Sequence, residues 1–121
     1  MSVLQQSGHK VGVIGFCLGG TLAWLASSGA GVACTVGYYS VGVGRHLGVQ
    51  PHGPVLMHFG RSDPAIQPTE IAALRASHPE VDVREYEAGH AFNRDDDAAY
   101  EAKSAAQAWA LSLEFLHRHL G

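Results

Sequence analysis

The sequence predicts an α/β domain with about four mainly parallel strands flanked by helices. Two observations support this fold class: short apolar runs alternate with longer amphipathic segments, and the first run is hydrophobic on both faces, as in a parallel strand covered by helices on each side. The chain has 121 residues, of which 46% are hydrophobic and 16% are charged. This length and composition are typical of one globular domain, so we expect a single domain over residues 1–121.

The strand candidates are the four short apolar runs. The first, residues 11–16, reads VGVIGF and is apolar throughout. The others are residues 33–39, 55–60 and 81–86. Because ligands of parallel sheets bind beyond the carboxyl ends of the strands, we expect functional residues directly after these runs.

Helices are predicted between and after the strands. Residues 19–28 have a helical apolar spacing that ends in glycines, and residues 68–77 begin with a proline at a helix-compatible position. The longest predicted helix, residues 97–120, has acids at its start and His117, Arg118 and His119 at its end, as the helix dipole favours. Residues 40–54 are rich in glycine and proline and form a long connection.

Charge and hydropathy exclude several classes of protein. The net charge of -3 gives no electrostatic basis for binding nucleic acid, and no run approaches the ~20 apolar residues of a membrane span. The amino terminus lacks the pattern of a secretion signal, so we expect a soluble cytoplasmic protein. Cys17 and Cys34 form no CxxC motif, and we expect no disulfide between them.

The segment Gly15-Phe16-Cys17-Leu18-Gly19-Gly20 directly follows the first predicted strand and precedes a helix. This is the pattern of a nucleophile elbow, a turn so tight that the residues two before and two after the nucleophile must be nearly free of side chain. At a helix amino terminus the Cys17 thiolate is favoured, and the Leu18 N–H points toward a developing oxyanion. The alternative is that Cys17 is an inert core residue in an ordinary turn.

Two further residues complete a possible catalytic triad. Asp63 follows the third predicted strand and His90 follows the fourth, in the order nucleophile, acid, histidine that is typical of α/β-hydrolases. His90 would accept the proton of Cys17, and Asp63 would orient the imidazole. Alone, Asp63 could be a turn residue and His90 a loop histidine bonded to backbone. Their joint placement favours the triad.

A dinucleotide-binding site and a metal site are both disfavoured. Cys17 occupies the position of the middle glycine of a dinucleotide fingerprint, and residues 1–62 contain no acid to bind a ribose. His117 and His119 project on different sides of a helix, and the spacing of the other histidines matches no metal motif. We therefore expect no cofactor and no metal.

Cys34, in an apolar strand, is interpreted as a buried small residue.

Four ordered blocks resemble the dienelactone hydrolase family. They are GFCLGG around Cys17, VGYYSVG at 36–42, MHFGRSDPAIQP at 57–68 and the AGHAFNR segment that ends at Arg94. The match corresponds to the C-terminal half of the family, whose members have roughly twice this length. The resemblance implies a partial α/β-hydrolase fold and the hydrolysis of an enol lactone that carries a carboxylate.

The resemblance also assigns site residues. It implies a triad of Cys17, Asp63 and His90, and an arginine, Arg94, that binds the substrate carboxylate. For Arg94 the alternative is a solvated side chain beside the acidic run at 95–97. Of two tyrosines that end the second strand, Tyr38 is favoured by the block alignment to line the pocket.

The absent N-terminal half has consequences for the fold and the site. Without it, the strand at 11–16 becomes an exposed hydrophobic edge, so we expect a homo-oligomer or another partner that covers it. The second oxyanion N–H would also be missing. This leaves two hypotheses: a cysteine hydrolase active once the sheet is complete, or a catalytically silent fragment or assembly module.

Overall fold

The part of the chain that the structure describes is built on one five-stranded sheet. The structure is a computed structural model, and it describes residues 2–6, 10–88 and 102–120. The strands are β1 (Ser2–Gln6), β2 (Lys10–Phe16), β3 (Val32–Tyr38), β4 (Val55–Gly60) and β5 (Asp82–Tyr86). The helices are α1 (Leu18–Ala26), α2 (Pro68–Ser77) and α3 (Ala102–Leu120), and a 3-10 turn spans Val43–Arg45.

The strands follow one another across the sheet in the order β1-β2-β3-β4-β5. β2 to β5 are parallel, and β1 pairs antiparallel with β2. The predicted fold class is therefore confirmed, and the four predicted strands match β2 to β5 to within one residue at each end. Parallel order brings the carboxyl ends of β2, β4 and β5 to one edge of the sheet, where the candidate site lies.

The prediction that the strand at residues 11–16 forms an exposed edge of the sheet is wrong. β1 pairs along β2, from Ser2 opposite Ile14 to Gln6 opposite Lys10, so β2 is an interior strand. The sequence does not predict a strand over residues 2–6, because SVLQQ lacks the apolar run of the other four. At the opposite edge β5 exposes charged side chains, with the Arg84 guanidinium bonded to Asp82, which disfavours further strand pairing.

The predicted helices are also found. α2 covers the predicted residues 68–77, and its start is set by Gln67, whose N–H donates to Glu70 in a capping box, followed by a proline at the first helical position. α1 ends two residues earlier than expected, and residues 97–101 of the last predicted helix lie outside the described residues. Of the helices described, none has the length and hydropathy for a membrane crossing.

The two glycines of β2 show which helix covers each face. A Cβ at Gly12 would lie 3.1 Å from Leu120 in α3, whereas a Cβ at Gly15 would meet Gly19 in the first turn of α1. Because side chains alternate along a strand, positions 12 and 15 point to opposite faces. α3 therefore covers one face and α1 the other. Trp24 of α1 packs edge-on against His78 at the end of α2, with ring centroids 5.1 Å apart.

A buried polar network lies between the sheet and α3. His58 of β4 is fully buried, with Nε2 2.8 Å from the Ser112 hydroxyl of α3 and Nδ1 2.9 Å from the Tyr86 hydroxyl of β5. The Tyr38 hydroxyl of β3 lies 2.9 Å from the same Ser112 oxygen. Ser112 Oγ donates its one hydrogen to the Ala108 carbonyl at 2.8 Å, so it accepts from both Tyr38 and His58.

The protons of the network follow from this geometry together with the burial of His58. Because the Ser112 hydrogen is used on Ala108, His58 carries a hydrogen on Nε2. Burial favours the neutral imidazole, in which Nδ1 then accepts from the Tyr86 hydroxyl. Burial lowers the pKa of His58 from 6.5 to about 3; Asp82 acts in the opposite direction, and Arg84 adds to the lowering. Burial also raises the pKa of Tyr38 to about 12, against the effect of its Ser112 bond.

The neutral His58 should make folding stability depend on pH. The folded pKa of about 3 lies below the ordinary 6.5, so as the pH falls the unfolded chain binds this proton first and the stabilisation is lost. We expect the difference in unfolding free energy between the wild type and His58→Gln to shrink by about 1.4 kcal/mol per pH unit below pH 6.5, because glutamine does not titrate. Urea unfolding between pH 4 and pH 7 measures it.

Phe59→Leu provides the control, because Phe59 is buried on the opposite face of β4 and carries no titrating group. Its free-energy deficit should not vary with pH. A His58→Gln deficit that is equally flat would contradict a neutral, buried histidine.

Candidate active site

Cys17 lies in a sharp turn between β2 and α1. Its backbone has φ 57° and ψ -123°, a conformation that residues with a side chain rarely adopt. Strained conformations of this kind cost about 1–3 kcal/mol and concentrate at functional sites. The turn has the backbone geometry of the elbow that the sequence predicts, and the role of Cys17 as nucleophile stays a prediction.

The glycines around Cys17 permit this turn. A Cβ at Gly15 would lie 2.0 Å from the Gly19 carbonyl oxygen, and a Cβ at Gly20 would lie 2.8 Å from the Tyr38 carbonyl oxygen. Both distances are far below van der Waals contact, so no larger residue fits without a shift of the backbone. The strand and the helix can approach this closely only because both positions lack a side chain.

Backbone hydrogen bonds hold the elbow in place. The Cys17 N–H donates to the Tyr38 carbonyl of β3 at 3.0 Å, and the Gly20 N–H donates to the Cys17 carbonyl at 3.0 Å. Cys17 caps α1, so the first-turn N–H groups, that of Leu18 included, surround it and favour an anion at this point. The elbow can therefore stabilise both a thiolate and an oxyanion.

The two cysteines have different environments. The Cys17 side chain is partly exposed at the rim of the sheet, whereas Cys34 is fully buried in β3. Burial raises the pKa of the Cys34 thiol, which keeps it protonated and unreactive. The prediction that Cys34 is a buried core residue is confirmed.

Asp63 lies in the loop that follows β4. It is almost fully buried, with 4% exposure, and its Oδ1 accepts the Ala65 N–H at 2.8 Å. This bond is typical of a turn residue, which is the alternative role of Asp63 that the sequence leaves open. The bond engages Oδ1 of the carboxylate, and the role of Asp63 in orienting a histidine stays a prediction.

The loop after β4 is bonded to the chain that follows β5. The Arg61 N–H donates to the Tyr86 carbonyl at 2.8 Å, and the Ser62 N–H donates to the Ala88 carbonyl at 3.1 Å. Ala88 comes two residues before His90 in the sequence. His90 and Arg94 themselves lie outside the described residues, so the expectations for both stay predictions.

Tyr38 and Tyr39 are both fully buried. The Tyr38 ring stacks on Phe16 with centroids 4.6 Å apart, and its hydroxyl points to Ser112 on the α3 side of the sheet. The substrate contact expected for Tyr38 stays a prediction, and the hydroxyl is engaged in the network.

No cluster of three metal-binding side chains occurs within residues 10–88 and 102–120.

The sequence does not predict the hydrogen-bonded network of His58, Tyr86 and Ser112. A histidine inside the apolar run VLMHFG was a usable signal, because a buried polar side chain needs partners. Those partners are 28 and 54 residues away, so the sequence alone could not identify them.

A strained turn between a parallel strand and a helix, with a buried acid after the strand two places along the sheet, is the arrangement of the α/β-hydrolase fold. The family model of the dienelactone hydrolase family matches residues 1–120, and the chain belongs to this family. A carboxymethylenebutenolidase from Pseudomonas putida is 40% identical over 116 residues, which cover 91% of this chain and 49% of the relative.

Solved structures share the fold of this chain. A crystal structure from Klebsiella pneumoniae, assigned as a dienelactone hydrolase, superposes with a TM-score of 0.75 at 29% identity, covering 84% of this chain and 49% of that one. An esterase from Pyrococcus furiosus shares the fold, with a TM-score of 0.71 at 17% identity over 93% of this chain and 55% of that one. The chain spans about half the length of the curated relatives it matches.

Gly15→Ala should disrupt the elbow. The added Cβ would meet the Gly19 carbonyl at 2.0 Å, and relief requires a shift of β2 or α1. We expect the free energy of unfolding to fall by at least about 3 kcal/mol, measured by urea denaturation followed by circular dichroism.

Gly31→Ala is the matched control, because a Cβ there meets nothing within 4 Å. It should leave stability unchanged or raise it by less than about 1 kcal/mol. If Gly15→Ala is as stable as Gly31→Ala, the close approach at the elbow is wrong.

Proposed function

We propose that the chain carries the catalytic triad of a dienelactone hydrolase-type enzyme, with Cys17 as nucleophile, His90 as general base and acid, and Asp63 as the orienting carboxylate. The observation that supports this most strongly is the strained backbone of Cys17 at the amino terminus of α1, flanked by glycines that accept no side chain. The buried Asp63 and the bond between Ser62 and Ala88 are consistent with it.

In the first step His90 takes the proton of the Cys17 thiol, and the thiolate attacks the carbonyl carbon of a lactone or activated ester. A C–S bond forms, and the carbonyl electron pair moves to the oxygen, which accepts the Leu18 N–H. The tetrahedral intermediate then collapses: the bond to the leaving oxygen breaks, and His90 donates a proton to the leaving group. The product is a thioacyl-enzyme.

In the second step water hydrolyses the thioester. His90 takes a proton from water, the resulting hydroxide attacks the acyl carbon, and the C–S bond breaks to release a carboxylic acid and regenerate Cys17. A thiolate leaves a tetrahedral intermediate more easily than an alkoxide, so ordinary esters are poor substrates. An enolate leaves readily, and for this reason we propose enol lactones as the substrate class.

The proposed substrate is a small lactone or ester that carries a carboxylate. Arg94 would bind that carboxylate in a bidentate pair, and the Tyr38 ring, beneath Phe16, would support the pocket wall. The Pseudomonas putida relative is named a carboxymethylenebutenolidase, which is the activity that this substrate class implies.

Cys17→Ala and His90→Ala should each abolish hydrolysis of an enol lactone that carries a carboxylate. Loss of either group removes the nucleophile or its base, and we expect the rate to fall by about 10³-fold or more. Cys34→Ala is the control, because Cys34 is buried away from the elbow, and it should keep wild-type turnover. Normal turnover in Cys17→Ala or His90→Ala would refute the triad.

A second candidate is a catalytically silent unit that needs the rest of a family fold. It is favoured by an apolar stripe on α1, where Leu18, Leu22 and Leu25 are 67%, 47% and 38% exposed. Without a second oxyanion donor the rate would fall by about 10²-fold or more. Full activity of this chain as a monomer, measured with light scattering on the same sample, would exclude this candidate; the expected homo-oligomer stays a prediction.

A further inference from the structure

The two ends of the buried network lie at residues whose backbones hold the candidate site. The Tyr38 carbonyl accepts the Cys17 N–H at 3.0 Å. The Tyr86 carbonyl accepts the Arg61 N–H at 2.8 Å and the Ala88 N–H at 2.8 Å. The side chains of Tyr38 and Tyr86 therefore connect to each other through His58 and Ser112, while their backbones connect to the nucleophile and to the loop of the acid.

The network also holds both flanks of the segment that carries His90 and Arg94. That segment follows Ala88 and precedes α3 in the sequence. Tyr86 lies before it in β5, and Ser112 lies after it in α3, anchored by its bond to Ala108 at 2.8 Å. His58 is hydrogen-bonded to both flanks, at 2.9 Å and 2.8 Å.

With His58 neutral, the donors and acceptors of the network match in one arrangement. Ser112 Oγ accepts from Tyr38 and from His58 Nε2, and His58 Nδ1 accepts from Tyr86. Removing one hydroxyl leaves a buried partner unsatisfied, so the rings must move to regain a bond. Asp82 and Arg84 of β5 are the charged groups that act on His58, whereas α3 presents the Ser112 hydroxyl and β3 the Tyr38 hydroxyl.

From this geometry we propose that His58 and Ser112 are positioning residues that fix the distance between the Cys17 elbow and the loops that follow β4 and β5. The inference rests on the proposed function, because it concerns the alignment of the proposed triad. Neither residue touches the substrate, since both are fully buried beneath the sheet. A misplacement of about 1 Å between reacting groups can cost about 10²-fold in rate, so a rigid cross-connection has a direct catalytic effect.

The test measures Cys17 directly and needs no substrate. In a Cys34→Ala background Cys17 is the one remaining cysteine of the chain, and its rate of alkylation by iodoacetamide against pH gives the apparent pKa of the thiol. The variants are Tyr86→Phe and Ser112→Ala, which remove one hydroxyl each. Phe59→Leu is the control, because it lowers stability on the opposite face of β4.

We expect the Cys17 midpoint of the parent protein to lie well below the ~8.5 of a free thiol. Tyr86→Phe and Ser112→Ala should raise it by about one pH unit, because a displaced His90 stabilises the thiolate less. Phe59→Leu should leave it unchanged. Circular dichroism identifies any variant that fails to fold, and Tyr86→Phe, which retains the ring, is the milder of the two.

The outcomes separate the two proposals. A low midpoint in the parent that stays low in folded Tyr86→Phe and Ser112→Ala overturns the positioning role and leaves the triad intact. A midpoint near 8.5 in the parent overturns the proposed function itself. A rise in Phe59→Leu equal to that in Tyr86→Phe also overturns positioning, because general destabilisation would then explain it.

Discussion

The closest approach between β2 and α1 is the constraint on which the site depends. Gly15 and the Gly19 carbonyl lie so near each other that a single added carbon would sit 2.0 Å from the oxygen. At this approach Cys17 adopts a positive φ of 57°, a region that favours glycine, and its side chain stays partly exposed. The strain is tolerated because β2 is paired on both sides and the Cys17 N–H is bonded to Tyr38.

The core between the sheet and α3 contains a buried polar network instead of apolar side chains alone. Burying His58 lowers its pKa to about 3, and the loss of hydration is offset only because each ring nitrogen has a partner. Apolar packing is tolerant of small displacements, whereas hydrogen bonds depend steeply on distance and angle. A network of this kind suits a place where two loops must keep a fixed separation.

Much of the fold could be predicted from the sequence because its signals are local. The apolar runs that became β2 to β5 and the proline that starts α2 are visible within ten residues, and so is the glycine pattern around Cys17. β1 could not be predicted, since SVLQQ owes its strand to pairing with β2. Nor could the direction of the Tyr38 hydroxyl, because its partner Ser112 is 74 residues away in the chain.

The environment of the elbow would make the proposed catalysis depend on what covers α1. An oxyanion hole is effective when water is excluded, since the N–H dipoles then act at low dielectric. Leu18, whose N–H is the proposed donor, is 67% exposed, and Leu22 continues the same apolar stripe along α1. A group that buries this stripe would therefore exclude water from the proposed oxyanion site as well, so covering the helix and activating the proposed nucleophile would occur together.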